Sequence, residues 1–307
     1  MAQQADDKSE RADIEIRPAR AEDREAVFAF TARTWDDGDY IPYVWEQWLT
    51  DPTGALLVAA RAGRAVGMTH VQMLSADEAW LEGIRVDPAV RREGLGRALT
   101  ARALAVARER GAKVARLFTD EDNLASQQMV TGFGFDRVAS FTGYVAPADP
   151  RAEPHALPPG SALRAPGTGD LERVWAFLKA SNLVPLNGGL LVQAWRAYSI
   201  NTALLERRLA AGEVHTLEAW DAIQALAIVH ANRDAEEGSR LSVQYLDGAA
   251  EGVGRLALAL RQMAAREGLA EVRALLPDEV LILRDAMDGA GYAQRDDHAT
   301  WCYARTL

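Results

Sequence analysis

Apolar and polar positions alternate at Ile14-Glu15-Ile16-Arg17, which predicts a short strand ended by Pro18. Ala26, Val27 and Phe30 then recur at helical spacing within 21–33, a first helix. A short helix is expected at 43–49, carrying Trp45 and Trp48, before the turn Asp51-Pro52-Thr53-Gly54. Runs at 55–60 and 65–74 read as a hairpin around Arg61-Ala62-Gly63-Arg64, and 79–86 as a third strand. The period then changes. Leu95, Leu99, Ala103 and Val106 share one face of a helix reaching about Arg110, with Gly111 just past its end. A strand at 114–119, a helix at 123–131 and a strand at 135–145 complete the first set.

Residues 146–160 hold Pro147, Pro150, Pro154, Pro158 and Pro159, a semi-rigid linker by composition. The pattern then begins again. A strand at 162–164 and a helix at 169–180 are followed by a longer helical segment at 190–210. Strands at 213–219, 223–231 and 239–246 precede a helix at 250–267. A strand at 271–276, a helix at 278–288 and a strand at 292–304 close the chain. Gly291-Tyr292 stands as far beyond Gly268 as Gly134-Phe135 stands beyond Gly111. The chain therefore reads as one duplicated α/β (α+β) domain, 14–145 and 161–307, behind a polar, flexible tail at 1–13.

Bulk numbers narrow the partners. The 307 residues, 49% hydrophobic and 25% charged, suit two globular domains. A net charge of −10 lacks the basic excess that nucleic-acid phosphates require. No apolar run is long enough to predict a membrane span. The one cysteine, Cys302, excludes an intramolecular disulfide and reads as a small buried hydrophobe. The five histidines are scattered, without metal-ligand spacing. The cytoplasm is the expected compartment, and a monomer or homodimer the expected state. Basic residues are almost all arginine, a skew that suggests a GC-rich, bacterial genome.

The chemistry concentrates at Val86-Asp87-Pro88-Ala89-Val90-Arg91-Arg92-Glu93-Gly94-Leu95-Gly96-Arg97-Ala98-Leu99. Two glycines one residue apart open the helix and let a ligand approach the backbone. The helix start carries unpaired N–H groups and partial positive charge, which suits a phosphate. Arg91 and Arg92 add full charges. The third glycine of a dinucleotide fingerprint is absent, since Leu99 stands there, and Gly94 lies too far beyond Val86 for that tight turn.

Over 14–145 the chain resembles the GNAT superfamily of acyl-CoA-dependent N-acyltransferases. Its cofactor motif, Arg/Gln-x-x-Gly-x-Gly/Ala, appears as Arg91-Arg92-Glu93-Gly94-Leu95-Gly96, and a second motif as Asn123 with Gly134-Phe135. The resemblance implies two tandem GNAT folds, each a mixed, mostly antiparallel sheet flanked by helices, with acetyl-CoA or another short acyl-CoA as cofactor. It implies pyrophosphate on the backbone of about 92–97 (Arg92, Glu93, Gly94, Leu95, Gly96, Arg97, Ala98), pantetheine along Ile84, Arg85 and Val86, and Asn123 near the thiol. Many members place a Tyr acid seven residues after that Asn; here it is Val130, so Ser126, Tyr144 or water are the candidates. In the second half Asp247-Gly248-Ala249-Ala250-Glu251-Gly252-Val253-Gly254 keeps two glycines but is shorter, has no arginines and carries Glu251, a poor phosphate site. The segment around Asp36-Asp37-Gly38-Asp39-Tyr40 with Leu81-Glu82-Gly83 also looks like vertebrate histidine N-acetyltransferases, which implies a small amine acceptor.

Period two puts Trp80, Glu82, Ile84 and Val86 on one strand face. A carboxylate among apolar neighbours is costly unless paired or protonated, and Glu82 suits a general base. A buried structural carboxylate is the bland alternative. Trp35, Asp39, Tyr40, Tyr43 and Trp80 are the candidate acceptor contacts. The expected function is acetyl transfer to a primary amine of a small molecule. A non-catalytic acyl-CoA sensor and a protein N-acetyltransferase are the alternatives.

Overall fold

A computed structural model describes residues 14–32, 34, 38–152, 157, 159–233, 238–295 and 297–307. Trp35, Asp36, Asp37 and the expected tail at 1–13 lie outside the described residues. The chain separates into two compact units: Met1–Leu117, Met129–Phe135 and Ala304–Leu307 form the first, and Phe118–Gln128 with Asp136–Tyr303 form the second.

The first half of the chain runs β1 (Ile14–Pro18), α1 (Arg24–Thr31), α2 (Ile41–Thr50), β2 (Gly54–Arg61), β3 (Arg64–Met73), β4 (Glu78–Val86), α3 (Leu95–Glu109), β5 (Val114–Asp120), α4 (Leu124–Thr131) and β6 (Asp136–Pro147). In the first unit β1 to β5 pair in sequence order. All these pairs are antiparallel except β4–β5, whose parallel crossover is α3. Each sheet face has its own core. On one, Val27, Phe30, Ile41, Trp45 and Trp48 from α1 and α2 meet Leu56, Val58, Ala65 and Met68. On the other, Leu95 and Leu99 of α3 meet Ala59 and Val66. Buried Arg17 ties β1 to the chain entering α1 through two bonds to Asp23, at 2.7 and 2.8 Å.

The second half runs β7 (Ser161–Arg164), α5 (Leu171–Ala180), α6 (Leu183–Leu186), β8 (Leu190–Gln193), β9 (Arg196–Ser199), α7 (Thr202–Ala210), β10 (Val214–Ala219), β11 (Ala222–Asn232), β12 (Arg240–Gly248), α8 (Ala250–Arg266), β13 (Glu271–Pro277), α9 (Leu281–Gly289), β14 (Ala293–Gln294) and β15 (Thr300–Thr306). The second unit's sheet order is β6-β13-β12-β11-β10-β7, with β14 also on β6. Its β12–β13 pair is parallel across α8, as β4–β5 is across α3.

Two expectations fail here. The helix expected over 190–210 is a hairpin, β8–β9, and then a shorter helix. Ala194 and Trp195 take positive φ at the hairpin turn, and Asn201 Oδ1 caps α7 by accepting from Leu204 N–H at 2.8 Å. The single strand expected at 292–304 is two, β14 and β15. The units also cut across the halves of the chain. β6, the closing strand of the first half, belongs to the second unit, and Ala304–Leu307 to the first, where Leu307 N–H bonds the Lys113 carbonyl at 2.9 Å.

Candidate active site

The site of the first unit is built on an irregularity in β4. Met68 pairs with Arg85 and His70 with Glu82, so β4 holds one more residue than β3 across this interval. The extra residue is a β-bulge. Gly83 sits in it at φ +66, and a Cβ there would lie 2.6 Å from Cζ3 of Trp48. Glycine is required twice, by the left-handed backbone and by the tryptophan. The bulge resets the alternation of side chains. Glu82 and Arg85, opposite His70 and Met68, share the face of α1 and α2, whereas Ile84 and Val86 pack with Leu95 and Leu99 of α3. Period two alone put Glu82, Ile84 and Val86 together; the bulge separates them.

On the α2 side the polar groups interlock. Nδ1 of His70 lies 3.0 Å from Oε1 of Glu82; His70 is fully buried and Glu82 is 14% exposed. The imidazole stacks on Trp48, centroids 4.4 Å apart and planes within 8°. Tyr40 meets the same indole edge-on at 6.0 Å, and its ring lies under the Arg85 guanidinium at 5.4 Å. Arg85 donates from Nε and Nη2 to Asp39, at 2.6 and 3.2 Å. Asp39 Oδ1 also accepts from Ile41 N–H at 3.2 Å, so it ties the start of α2 to β4. Its side chain is fully buried, which corrects the expectation that Asp39 contacts the acceptor: its charge is committed to Arg85. Trp80 is 1% exposed, a core residue and not a pocket wall. Tyr43 projects from α2 at 84% exposure, while Tyr40 and Trp48 stand with the Glu82–His70 pair. The sequence signals for His70 and Trp48 were present but weak: a histidine on the neighbouring strand, and a glycine inside β4 that marks a bulge.

Beyond β4 the chain turns into the glycine-opened start of α3. Asp87 accepts from Ala89 N–H at 3.0 Å and shapes the turn. Arg92 and Gly94 take φ +69 and +84, and such alternation of backbone hand turns successive N–H groups into a concave nest. The first bond of α3 runs from Ala98 N–H to the Gly94 carbonyl at 3.0 Å, so the amides of Leu95, Gly96 and Arg97 precede it at the helix end. No atom lies within 4 Å of a Cβ built on Gly94. Arg91 and Arg92 are exposed beside it. Glu93, the acid next to the glycines, pairs with Arg61, which offsets its repulsion of a phosphate.

The structure places three candidates in the second unit. Asn123 Oδ1 accepts from Ser126 N–H at 3.1 Å and caps α4, and Ser126 is half-buried. Val130, in the first unit, is buried. Tyr144 lies on β6 among the apolar core of the second unit, with Ala146, Val272 and Leu276. Burial raises its hydroxyl above the ordinary phenol range. The reason is the destination of β6, which pairs antiparallel with β13.

The corresponding loop of the second unit is closed. Ala249 N–H donates to the Gln224 carbonyl at 3.2 Å, and a Cβ on Gly252 would lie 3.0 Å from that oxygen. The first turn of α8 thus packs directly on β11, where the first unit has a nest. In the same unit Asp120, Asp122 and His298 hold ligand atoms within 4.8 Å of one another, a spacing that acidic surface groups commonly reach without an ion.

Comparison with known proteins agrees with this geometry. The acetyltransferase (GNAT) family model matches residues 20–135. A mycothiol acetyltransferase of Thermobispora bispora is 38% identical over 132 residues, 38% of this chain and 43% of that protein. The human probable N-acetyltransferase 16 is 29% identical over 202 residues, 61% of this chain and 54% of that protein. The matches span about half the length of these relatives. Among solved structures, a GCN5-related N-acetyltransferase from Sphaerobacter thermophilus superposes with TM-score 0.63 at 14% identity, covering 95% of each chain. A tandem GNAT protein from the clavulanic acid biosynthesis pathway does so with TM-score 0.54 at 17% identity, covering 96% of this chain and 98% of that one. These likenesses share the fold, and the motif-bearing loop, the bulged strand and the family match fall on the same segment: residues 20–135 of this chain are a GNAT-family acetyltransferase domain.

Proposed function

We propose that the first unit transfers an acetyl group from acetyl-CoA to a primary amine of a small molecule, by direct attack of the amine. The observation that carries this is the Glu82 carboxylate, held 3.0 Å from His70 at a glycine bulge on the strand that leads into the anion seat. The residues of the seat suit the cofactor: a Cβ on Gly94 would meet open space, and Glu93 is paired with Arg61. Arg91 and Arg92, with the amides of Leu95, Gly96 and Arg97, would hold the pyrophosphate. Ile84 and Val86 would hold the pantetheine amides. When bound, acetyl-CoA supplies an acetyl group activated as a thioester.

Glu82 accepts a proton from the incoming ammonium and frees its lone pair. The Val86 N–H stabilises charge growing on the acetyl oxygen. Bound acetyl-CoA would give its acetyl carbon to the amine nitrogen and leave as the thiolate, which is then protonated. With Val130 at the family's tyrosine position and Tyr144 in an apolar core, Ser126 or water would supply the proton of the departing thiol. Tyr40, 45% exposed, would flank the acceptor. The cytoplasm suits this reading, as does the lone cysteine, buried and outside any disulfide. No helix among the described residues is long and apolar enough to cross a membrane.

Val130 favours a second reading, an acyl-CoA sensor without turnover. Thiol release from acetyl-CoA, measured with L-histidine, tyramine, spermidine and a lysine peptide, separates the readings. The proposal expects release stimulated by at least one small amine. Cofactor binding without stimulated release supports the sensor, and release with the peptide alone supports a protein acetyltransferase.

A further inference from the structure

We infer that His70 is a positioning residue for the acetyl transfer, a donor that fixes the Glu82 carboxylate through its Nδ1–H. The inference rests on Glu82 as the base.

The imidazole has little freedom. It is fully buried on β3 and stacked on Trp48 at 4.4 Å. Its Nε2 faces Gly54 on the neighbouring strand, where a Cβ would lie 2.5 Å from that nitrogen. Gly54 leaves the ring its space on one side, and Trp48 covers its face. Trp48 in turn sits against Gly83, beside Glu82 itself. The clamp and the carboxylate therefore share one packed unit, and a change in any part moves the acid.

Hydrogen bonding fixes the tautomer. Among the described residues, Nε2 is buried without a hydrogen-bond partner. A proton there would be an unsatisfied buried donor, whereas a proton on Nδ1 meets the Glu82 oxygen at 3.0 Å. A neutral imidazole has one N–H, so it belongs on Nδ1. That bond to a carboxylate is charge-assisted, and it occupies one of about four lone-pair sites on Glu82. Rotation of the carboxylate is thereby restrained. A base held in one orientation is what proton transfer at hydrogen-bond range demands. His70 itself touches neither the amine nor the thioester in this scheme.

Two measurements test the inference on the full chain. Nitrogen NMR of the imidazole needs no acceptor. We expect His70 as the Nδ1–H tautomer, with the Nδ1 signal displaced in Glu82→Gln; an Nε2–H tautomer overturns the inference. Steady-state kinetics with the fastest amine of the panel are the second. His70→Leu is expected to lower kcat by about 10²-fold, with KM for acetyl-CoA unchanged, and His70→Asn, which keeps a donor near the Nδ1 position, to recover to within about tenfold of wild type. In a Glu82→Gln background, His70→Leu should change kcat less than about threefold, because its partner is already gone. A further large loss in that background, or equal loss in the Leu and Asn variants, assigns His70 a purely structural role and overturns the inference. If Glu82→Gln alone leaves kcat intact, the base assignment itself has failed.

Discussion

Gly83→Ala probes the bulge that organises the site. The residue sits at φ +66, where a non-glycine residue costs about 1–2 kcal/mol. The new methyl would also lie 2.6 and 2.7 Å from Cζ3 and Cη2 of Trp48. That ring cannot swing away cheaply, because it is buried and stacked on His70. Forcing extra volume into a packed core costs about 1–3 kcal/mol. The sum is about 2–5 kcal/mol, measured by urea denaturation followed by tryptophan fluorescence. The two contributions can be separated. In a Trp48→Phe background the steric part is relieved and the backbone part stays, so the double mutant should be about 1–3 kcal/mol more stable than the sum of the single effects implies. Strict additivity, or a cost below about 0.5 kcal/mol for Gly83→Ala, would refute the bulge as a strained, tryptophan-backed feature.

Three further outcomes follow from other parts of the fold. Gly94→Ala meets open space at φ +84, so it should cost only about 1–2 kcal/mol in denaturation while weakening acetyl-CoA binding in calorimetry. The same titration of the wild-type chain should give one cofactor per chain, since the second unit's helix start is packed on Gln224; two equivalent sites would contradict the closed loop. Arg17→Ala should cost about 3–5 kcal/mol by leaving Asp23 buried without its partner. Burial by itself raises Asp23, but the bonds from Arg17 and the Arg20 amide outweigh it and hold the carboxyl below its ordinary range. Its contribution is therefore complete above about pH 4 and is lost as pH falls through the folded value, so urea midpoints of wild type and Arg17→Ala should converge in acid.

Features with a local cause were the ones legible in the sequence. The anion seat follows from Arg91 to Gly96 alone, because a glycine-opened helix start defines its own geometry. The strands from β1 to β5 show their period directly. What failed depends on partners far away in sequence. Ile84 and Val86 change face because Gly83 adds a residue against β3, which a single strand's alternation does not reveal. Tyr144 goes to the second unit's core because β6 pairs with residues 271–277. Asp39 reads as an acceptor contact until Arg85, on another element, takes its charge. The run Leu190-Leu191-Val192 fits helix or strand equally, and the turn at Ala194 and Trp195 decides it.

The kcat of Glu82→Gln with the fastest small amine bears most directly on the claim that the first unit is the working acetyltransferase and Glu82 its base. Loss of the base should lower kcat by about 10²–10⁴-fold, with acetyl-CoA affinity and thermal stability unchanged. A variant that turns over within about threefold of wild type would place the base elsewhere and leave the Glu82–His70 pair as structure alone.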